Sequence, residues 1–283
     1  MTSKITPSKI EELSYCSFVD DNAYFVLTDA LQTIGDKFGE YLVSDADLNE
    51  KKRKISHRLF HIEDLDDTRF RLHNIYLDGK LHIVDQGKEL LDNGHNHTQD
   101  QWVEWLKSDA NEDKWHLASG PLYHASLAAL HYNQDHADEE QRNLIKQCRE
   151  MHAQDFKKHW MMTSTRIIYN SHGKDKMIHD YDSPQQKEIE LDFVGPDGYI
   201  TQKSNLEREM NALFGTSDLE EVEKVYSALT DEKPRLWRNN YKPRVEDQRA
   251  LVLGVSNVIT SFDVSAVSFI VRPGRGWSWR QKD

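Results

Sequence analysis

Apolar residues recur at the three- to four-residue spacing of an amphipathic helix in several stretches of the chain. These stretches are residues 20–38, 98–107, 121–132, 138–160, 205–214 and 218–229. Thr98 is a residue type that caps helix N-termini, and Pro121 is a type that favours the first helical turn. Acidic residues precede the helical pattern at 20–38 and at 218–229, as the helix dipole favours. The pattern therefore predicts helices in the N-terminal, central and C-terminal parts.

A period of two replaces the helical period after Thr68, where RFRLHNIYL and KLHIVD flank the dipeptide Asp78-Gly79. Alternating apolar residues on both sides of an Asp-Gly pair are the strongest hairpin signal in this chain. Strands are also predicted over residues 163–169, 176–181 and 188–194. Helices and strands do not alternate regularly, so the sequence predicts an α+β fold with antiparallel sheets.

The composition is that of a folded protein with a heavily charged, acidic surface. The chain has 283 residues, 37% of them hydrophobic and 30% charged, and a formal net charge of -12. An acidic protein repels phosphate, so binding to nucleic acid is disfavoured. The one basic cluster, NEKKRKISHRL at residues 49–59, has acidic neighbours and is interpreted as a solvated, salt-bridged face.

The N-terminus has no signal-peptide pattern, and no stretch approaches the length of a membrane span. No membrane insertion is expected. The default location is therefore the cytoplasm, although display on a cell surface or a virion is compatible with the sequence. Cys16 and Cys148 are far apart and fit two reduced structural thiols.

All 14 histidines fall between His57 and His179, which raises the alternative of a metal-dependent hydrolase. The candidate ligands are His57 and His61, spaced i, i+4, and the pair His95 and His97, which we expect to lie on opposite sides of an extended chain. No third ligand or catalytic glutamate stands at the spacing of a zinc helix. The chain also has no nucleophile elbow, P-loop or dinucleotide-binding motif. We therefore expect no enzyme activity and no cofactor.

The segment from Ala250 to Val271 differs from the rest of the chain because Asp263 is its only charged residue. One interpretation is an ordinary buried strand pair. In it, the apolar residues stand at alternate positions, with Leu251 and Leu253 on one face of the first strand and Phe262 and Val264 on one face of the second. That interpretation explains the serine, threonine and asparagine content less well. A glycine-rich turn at residues 272–276 follows, and then Trp277 and Trp279, whose spacing suits a final strand with both indoles on one face.

The C-terminal part has four short motifs, Leu236-Trp237-Arg238-Asn239, Lys242-Pro243, Arg249-Ala250 and Arg275-Gly276-Trp277-Ser278. With these motifs it resembles the variable proteins of archaeal diversity-generating retroelements. In that family a templated copying process mutates adenines, mainly in asparagine codons, and the reachable residues exclude Lys, Glu, Gln, Met and Trp. The segment 250–271 lacks all five.

The resemblance implies a ligand-binding display protein with a C-type-lectin-like domain over residues 161–283, a variable segment over 250–279, and residues 1–160 as a packed scaffold. Trp237, Trp277 and Trp279 would support the surface. The expected surface residues are Ser256, Asn257, Val258, Ile259, Thr260, Ser261, Asp263, Ser265, Val267, Ser268, Phe269, Ile270 and Val271.

The expected partner is a protein or surface molecule of another cell or virus, of unknown identity. Calcium, which some lectin-like folds use, is not implied, because Asp263 is the only hard ligand in the segment. A structural protein with no small ligand is a further possibility that the sequence leaves open.

Overall fold

The computed structural model of the protein describes residues 52–53, 56–191, 198–199, 207–237, 244–256, 261–268 and 274–282. The helix predicted over residues 20–38 lies outside the described residues. The helices are α1 (Gln99–Lys107), α2 (Gly120–Tyr132), α3 (Glu139–Lys158), α4 (Glu207–Phe214) and α5 (Leu219–Thr230). The strands are β1 (His61–Asp66), β2 (Arg69–Leu77), β3 (Lys80–Leu90), β4 (Met161–Tyr169), β5 (Asp175–His179), β6 (Lys187–Leu191), β7 (Gly198–Tyr199), β8 (Pro234–Trp237), β9 (Asp247–Ser256), β10 (Ser261–Ser268) and β11 (Trp277–Lys282).

The first sheet has the order β1-β2-β3-β11, and all of its described pairs are antiparallel. Its β2-β3 hairpin confirms the predicted turn, in which Asp78 and Gly79 have φ angles of 51° and 80°. Glycine adopts this left-handed conformation without steric cost. The final strand β11 pairs with β3, so the C-terminal end of the chain completes a sheet that the 61–90 region begins.

The second sheet has the order β6-β5-β4-β9-β10-β8-β7. Strands β8 and β10 run parallel, whereas the other described pairs in this sheet are antiparallel. The sheet is therefore mixed, and the expectation of antiparallel sheets is wrong for this one pair. A parallel pair forms because a long stretch of chain separates β8 from β10, which gives room for a crossover.

Local sequence signals set the helix boundaries as predicted. The Thr98 hydroxyl accepts a hydrogen bond from the Gln101 backbone amide, and the Gln101 side-chain oxygen accepts one from the Thr98 backbone amide, which forms a capping box. Pro121 lies in the first turn of α2, and Asp138 caps α3 by accepting from two backbone amides. Within the described residues, no helix combines the length and hydrophobicity that a membrane crossing requires.

Helices α2 and α3 each contact strands of both sheets, so the main core forms around them. That core runs without a break from Phe60 and Phe70 to Trp277 and Trp279. The boundary expected at residue 160 therefore passes through a continuous core. A smaller cluster around Trp102 packs α1 onto the other face of the second sheet. The α+β class is confirmed.

Candidate functional site

The expected recognition segment coincides with the two central strands of the second sheet. Strand β9 lies between β4 and β10, and β10 lies between β9 and β8. The β9-β10 register pairs Ser256 with Ser261, so residues 257–260 connect the two strands. The strand-pair interpretation is thus correct for the described residues, and the expected surface residues are built onto that pair.

One face of β10 belongs to the main core, as its alternation predicts. Phe262 and Val264 are fully buried there, next to Leu253 of β9 and Leu236 of β8. Because strand residues alternate between faces, Ser261, Asp263 and Ser265 point to the second face. Apolar packing on the first face therefore fixes the hairpin in the main core.

Ser261 and Asp263 do not occupy the solvent-facing position that we expected. Ser261 has no exposed surface and Asp263 is 5% exposed. The Ser261 hydroxyl donates a hydrogen bond of 2.7 Å to Asp263 Oδ1. Another part of the chain lies on this face of the sheet, which a sequence pattern does not reveal. Ser261 and Asp263 are a buried polar pair in this structure.

The segment that covers this second face includes His159 and Trp160. Asp263 lies opposite Arg235 on β8 and opposite Gly254 on β9. A Cβ atom at Gly254 would lie 2.9 Å from the His159 carbonyl oxygen and 3.2 Å from the Trp160 ring. Glycine is therefore needed at position 254 so that this segment can lie directly on the sheet.

The remaining expected residues lie either on described strands or outside the described residues. Ser265 is half-buried on β10, and Ser256, Val267 and Ser268 are strand residues whose side chains are not described. Trp237 ends β8, and its side chain is likewise not described. Seven expected residues lie outside the described residues, namely Asn257, Val258, Ile259, Thr260, Phe269, Ile270 and Val271.

The two connecting segments join β10 at opposite ends. Residues 257–260 lead into Ser261, and residues 269–273 follow Ser268. Since a strand rises about 3.3 Å per residue, these two attachment points are about 23 Å apart. The two ends of β10 from which the connecting segments start are therefore well separated.

The C-terminal end of the segment is held at Gly274 and Arg275. The backbones of Gly274 and His97 exchange hydrogen bonds of 2.9 and 3.0 Å, and Trp102 Nε1 donates to the Gly274 carbonyl oxygen at 3.0 Å. Arg275 exchanges backbone hydrogen bonds with Trp160 and Met162 on its other side. The chain is therefore fixed immediately after residue 273.

Trp277 and Trp279, the expected supporting residues, are 2% and 1% exposed. Both indoles lie close to the His152 ring, with ring centroids 5.0 and 6.0 Å away. His152 Nε2 accepts from the Gln86 amide at 2.9 Å, which places its proton on Nδ1, 3.2 Å from the Tyr123 hydroxyl. Burial lowers the pKa of His152 to about 3, so this ring is neutral in the folded protein.

Cys148 belongs to the same buried network. Its thiol donates to Gln86 Oε1 at 3.5 Å, and burial raises its pKa to about 12. A thiol with a raised pKa is a poor nucleophile. Cys148 is therefore a structural thiol, as the sequence predicts, whereas Cys16 lies outside the described residues.

The histidines proposed as metal ligands are distributed over separate parts of the fold. His57 precedes β1, His61 lies on β1, and His95 and His97 follow the turn at Leu91–Gly94. Among the residues that the structure describes, no group of three or more His, Cys, Asp or Glu side chains could hold a metal ion. The metal-dependent hydrolase stays a hypothesis without a described site.

His95 and His97 reach the same carboxylate, contrary to the expectation that they lie on opposite sides of the chain. Asp92 Oδ2 is 2.6 Å from His97 Nε2 and 3.6 Å from His95 Nδ1. Alternate residues of an extended chain share a side, which is the physical reason. Asp92 itself has a φ of 47°, a conformation that non-glycine residues rarely adopt.

Comparison with known proteins gave no match to any family model, curated protein or solved structure.

Proposed function

We propose that the protein is a ligand-binding display protein whose recognition surface is carried by residues 256–271, in a variable protein of the archaeal diversity-generating retroelement class. The proposed frame is a C-type-lectin-like domain, and the proposed partner is a protein or surface molecule of another cell or virus. The observation that supports it is the contrast between this segment and its surroundings. Residues that the copying process cannot produce are absent from the segment, and buried core residues flank it on both sides.

A recognition surface needs changeable side chains on a frame that does not change with them. Leu253 before the segment and Trp277 after it are both buried in the main core. Small serine and asparagine side chains, together with aromatic residues, are also the usual material of adaptable binding loops. These features support a binding module that is carried by the strand pair.

Within this proposal, the buried positions of the segment stay constant and the other positions vary. Phe262, Val264 and Ala266 pack in the core, and a polar residue at any of them would be buried without a partner. Ser261 and Asp263 hydrogen bond to each other out of contact with solvent. The proposal therefore assigns variation to residues 256–260, 265 and 267–271 alone.

Sequencing the 3′ end of this gene across a natural population tests the proposal. We expect amino-acid changes to cluster in the assigned positions and to spare 262, 264 and 266. A neighbouring reverse transcriptase gene, with an adenine-rich near-copy of the coding sequence for this region, would accompany them. Changes spread evenly along the chain, or concentrated at the core positions, would overturn the proposal.

A library experiment tests the same division in the protein itself. One library randomises residues 257–260 and 269–271, and a matched library randomises residues 262, 264 and 266. Most clones of the first should keep the thermal unfolding transition of the parent, and most clones of the second should lose it. Similar losses in both libraries would show that the connecting segments are part of the fixed structure.

A further inference from the structure

A groove of about 470 Å³ lies between helix α3, the turn that follows α2, and the C-terminal end of α5. The turn contributes Gln134 and Asp135 to its lining, and α5 contributes Ala228 and Leu229. The other lining residues belong to α3. The volume is in the range of small-molecule sites in proteins.

Three cations of α3, namely Arg142, Lys146 and Arg149, line this groove. Their spacing of four and three residues places them on one face of the helix. Arg142 and Lys146 are exposed and Arg149 is half-buried, so solvent reaches all three side chains. The whole chain has a formal net charge of -12, so this row of cations is a local exception on an acidic protein.

Arg149 is the cation that joins α3 to α5. Its Nη2 donates to the Ala228 carbonyl oxygen at 3.3 Å, at the C-terminal end of α5, where the helix dipole favours a cation. Its Nη1 donates to Gln134 Oε1. Both acceptors are uncharged, and burial lowers the pKa of Arg149 although the charge of Asp135 acts in the opposite direction. The positive charge of Arg149 is therefore only partly balanced.

Arg53 shows a different arrangement for an arginine that is removed from solvent. It is 7% exposed, and its Nη1 lies 2.6 Å from an oxygen of Glu221 on α5. The interpretation of the basic cluster at residues 49–59 as a solvated face is therefore wrong for Arg53. The half-buried Arg149 has no such carboxylate partner among the residues that the structure describes.

Arg142 and Lys146 keep donors available to a ligand. Arg142 Nη1 donates to the His136 carbonyl oxygen at 2.7 Å, and its other N–H groups have no acceptor within the described part of the chain. Lys146 Nζ lies 3.9 Å from Glu150 Oε1, which is longer than a hydrogen bond. Each of these side chains can therefore bind a further oxygen without giving up a contact.

Two carboxylates, those of Asp135 and Glu150, line the groove together with the three cations. The cations therefore exceed the anions by one charge. Both carboxylates are exposed, so water and salt screen their interaction with the cations. Because ionised carboxylates only accept hydrogen bonds, they favour a ligand that carries hydroxyl groups beside its charged group.

We propose that this groove binds a small hydroxylated molecule through an oxyanion group, either a carboxylate or a phosphate. The guanidinium groups of Arg142 and Arg149 are planar forks that bind two oxygens of such a group, and Lys146 adds a third cation between them in sequence. The ligand's charge would balance the cation that the groove has in excess. This site does not depend on the function proposed for the segment 256–271.

Four small compounds of similar skeleton test the chemical class: glycerol 3-phosphate, glycerate, glycerol and 3-amino-1,2-propanediol. They are titrated at constant ionic strength into the full chain labelled with ¹⁵N at arginine, and the side-chain Nε signals are followed by NMR. At least one of the two anions should shift the Arg142 and Arg149 signals saturably, with a dissociation constant below about 10 mM. Glycerol and the amine should bind at least about tenfold more weakly, because they lack the negative charge. The anion that binds more tightly distinguishes a phosphate ligand from a carboxylate ligand.

Two charge-removing variants test the two arginines. Arg142→Gln and Arg149→Gln each keep a polar side chain and delete one guanidinium group. Each variant should bind the tighter anion about tenfold more weakly, which corresponds to one lost hydrogen bond to a charged group. Arg69→Gln is the matched control, because it changes the net charge equally at a residue that pairs with Asp66 on the first sheet, and it should bind like the wild type.

Three outcomes would overturn the proposal. They are the absence of saturable shifts with both anions, binding of glycerol or the amine as tight as that of the anions, and wild-type affinity in both Arg142→Gln and Arg149→Gln. Thermal unfolding of each variant is recorded first, because Arg149 also contacts the end of α5. If Arg149→Gln does not fold, Arg142→Gln and Lys146→Gln, both at exposed positions, decide the question.

Discussion

Arg280 donates a hydrogen bond of 3.1 Å from Nη2 to Oδ2 of Asp85, and this contact links the last strand of the chain to the first sheet. Asp85 is completely buried, and its other oxygen accepts from Arg71 Nε at 2.7 Å. Arg71, Asp85 and Arg280 are register partners on β2, β3 and β11. One carboxylate thus joins three strands and fixes the position of β11.

Replacing Asp85→Asn should lower the free energy of unfolding by about 3 kcal/mol, because two arginines lose the charge that balances them in a buried site. Urea unfolding measures the change. Asp64→Asn is the matched control, since Asp64 pairs with Lys88 at the surface, and its loss should stay below about 1 kcal/mol. Equal effects of the two substitutions would contradict the central role of Asp85.

Gly87 should not tolerate a side chain while Ser278 is present. A Cβ atom at position 87 would lie 1.7 Å from Ser278 Oγ and 2.9 Å from its Cβ. Gly87→Ala should therefore destabilise the protein by about 2 kcal/mol through overpacking between β3 and β11. The double variant Gly87→Ala with Ser278→Gly removes the clash and should recover most of that loss in thermal unfolding. A double variant no more stable than Gly87→Ala alone would show that the strain lies elsewhere.

Buried neutral histidines should make the protein less stable in acid. Burial lowers the pKa of His152 from its ordinary value of 6.5 to about 3, so between these values the unfolded chain binds a proton that the folded protein does not. The free energy of unfolding should fall as the pH falls through this range, by up to about 1.4 kcal/mol per pH unit for this histidine.

His57 and His179, whose pKa burial lowers to about 4, act in the same direction. Urea unfolding between pH 4.5 and 7.5 measures the total slope. His152→Gln should reduce that slope by about one proton. A slope that His152→Gln does not alter would mean that His152 is protonated in the folded protein.

The hydrogen bond from Trp102 Nε1 to the Gly274 carbonyl oxygen should hold the chain where it re-enters the fold after residue 273. Trp102→Phe should cost about 2 to 3 kcal/mol, since it removes this bond and leaves a buried gap. It should also speed amide hydrogen exchange at Gly274.

Trp105→Phe makes the same chemical change on the same helix and leaves the bond to Gly274 in place. Trp105 is only partly buried, so the stability loss should be smaller, and exchange at Gly274 should be unchanged. Faster exchange at Gly274 in both variants would show that helix α1 as a whole, and not this one bond, holds the chain.

Local elements of this protein could be predicted because their causes are local. The Asp78-Gly79 turn, the capping residue Thr98 and the alternation of Phe262 with Val264 each depend on a few neighbouring residues. The place of the expected site could be predicted only in part. Alternation puts Ser261 and Asp263 on the second face of β10, but it does not indicate that another part of the chain covers that face.

The sequence by itself determined the α+β class, most element boundaries and the unusual composition of residues 250–271. The tertiary structure alone decided that β11 joins β3, that Arg53 meets Glu221, and that α3 and α5 line one groove. Periodicity and turn chemistry act over a few residues, whereas these contacts join residues far apart in the chain. Their partners are selected by burial and by charge balance in the folded core, which no local pattern contains.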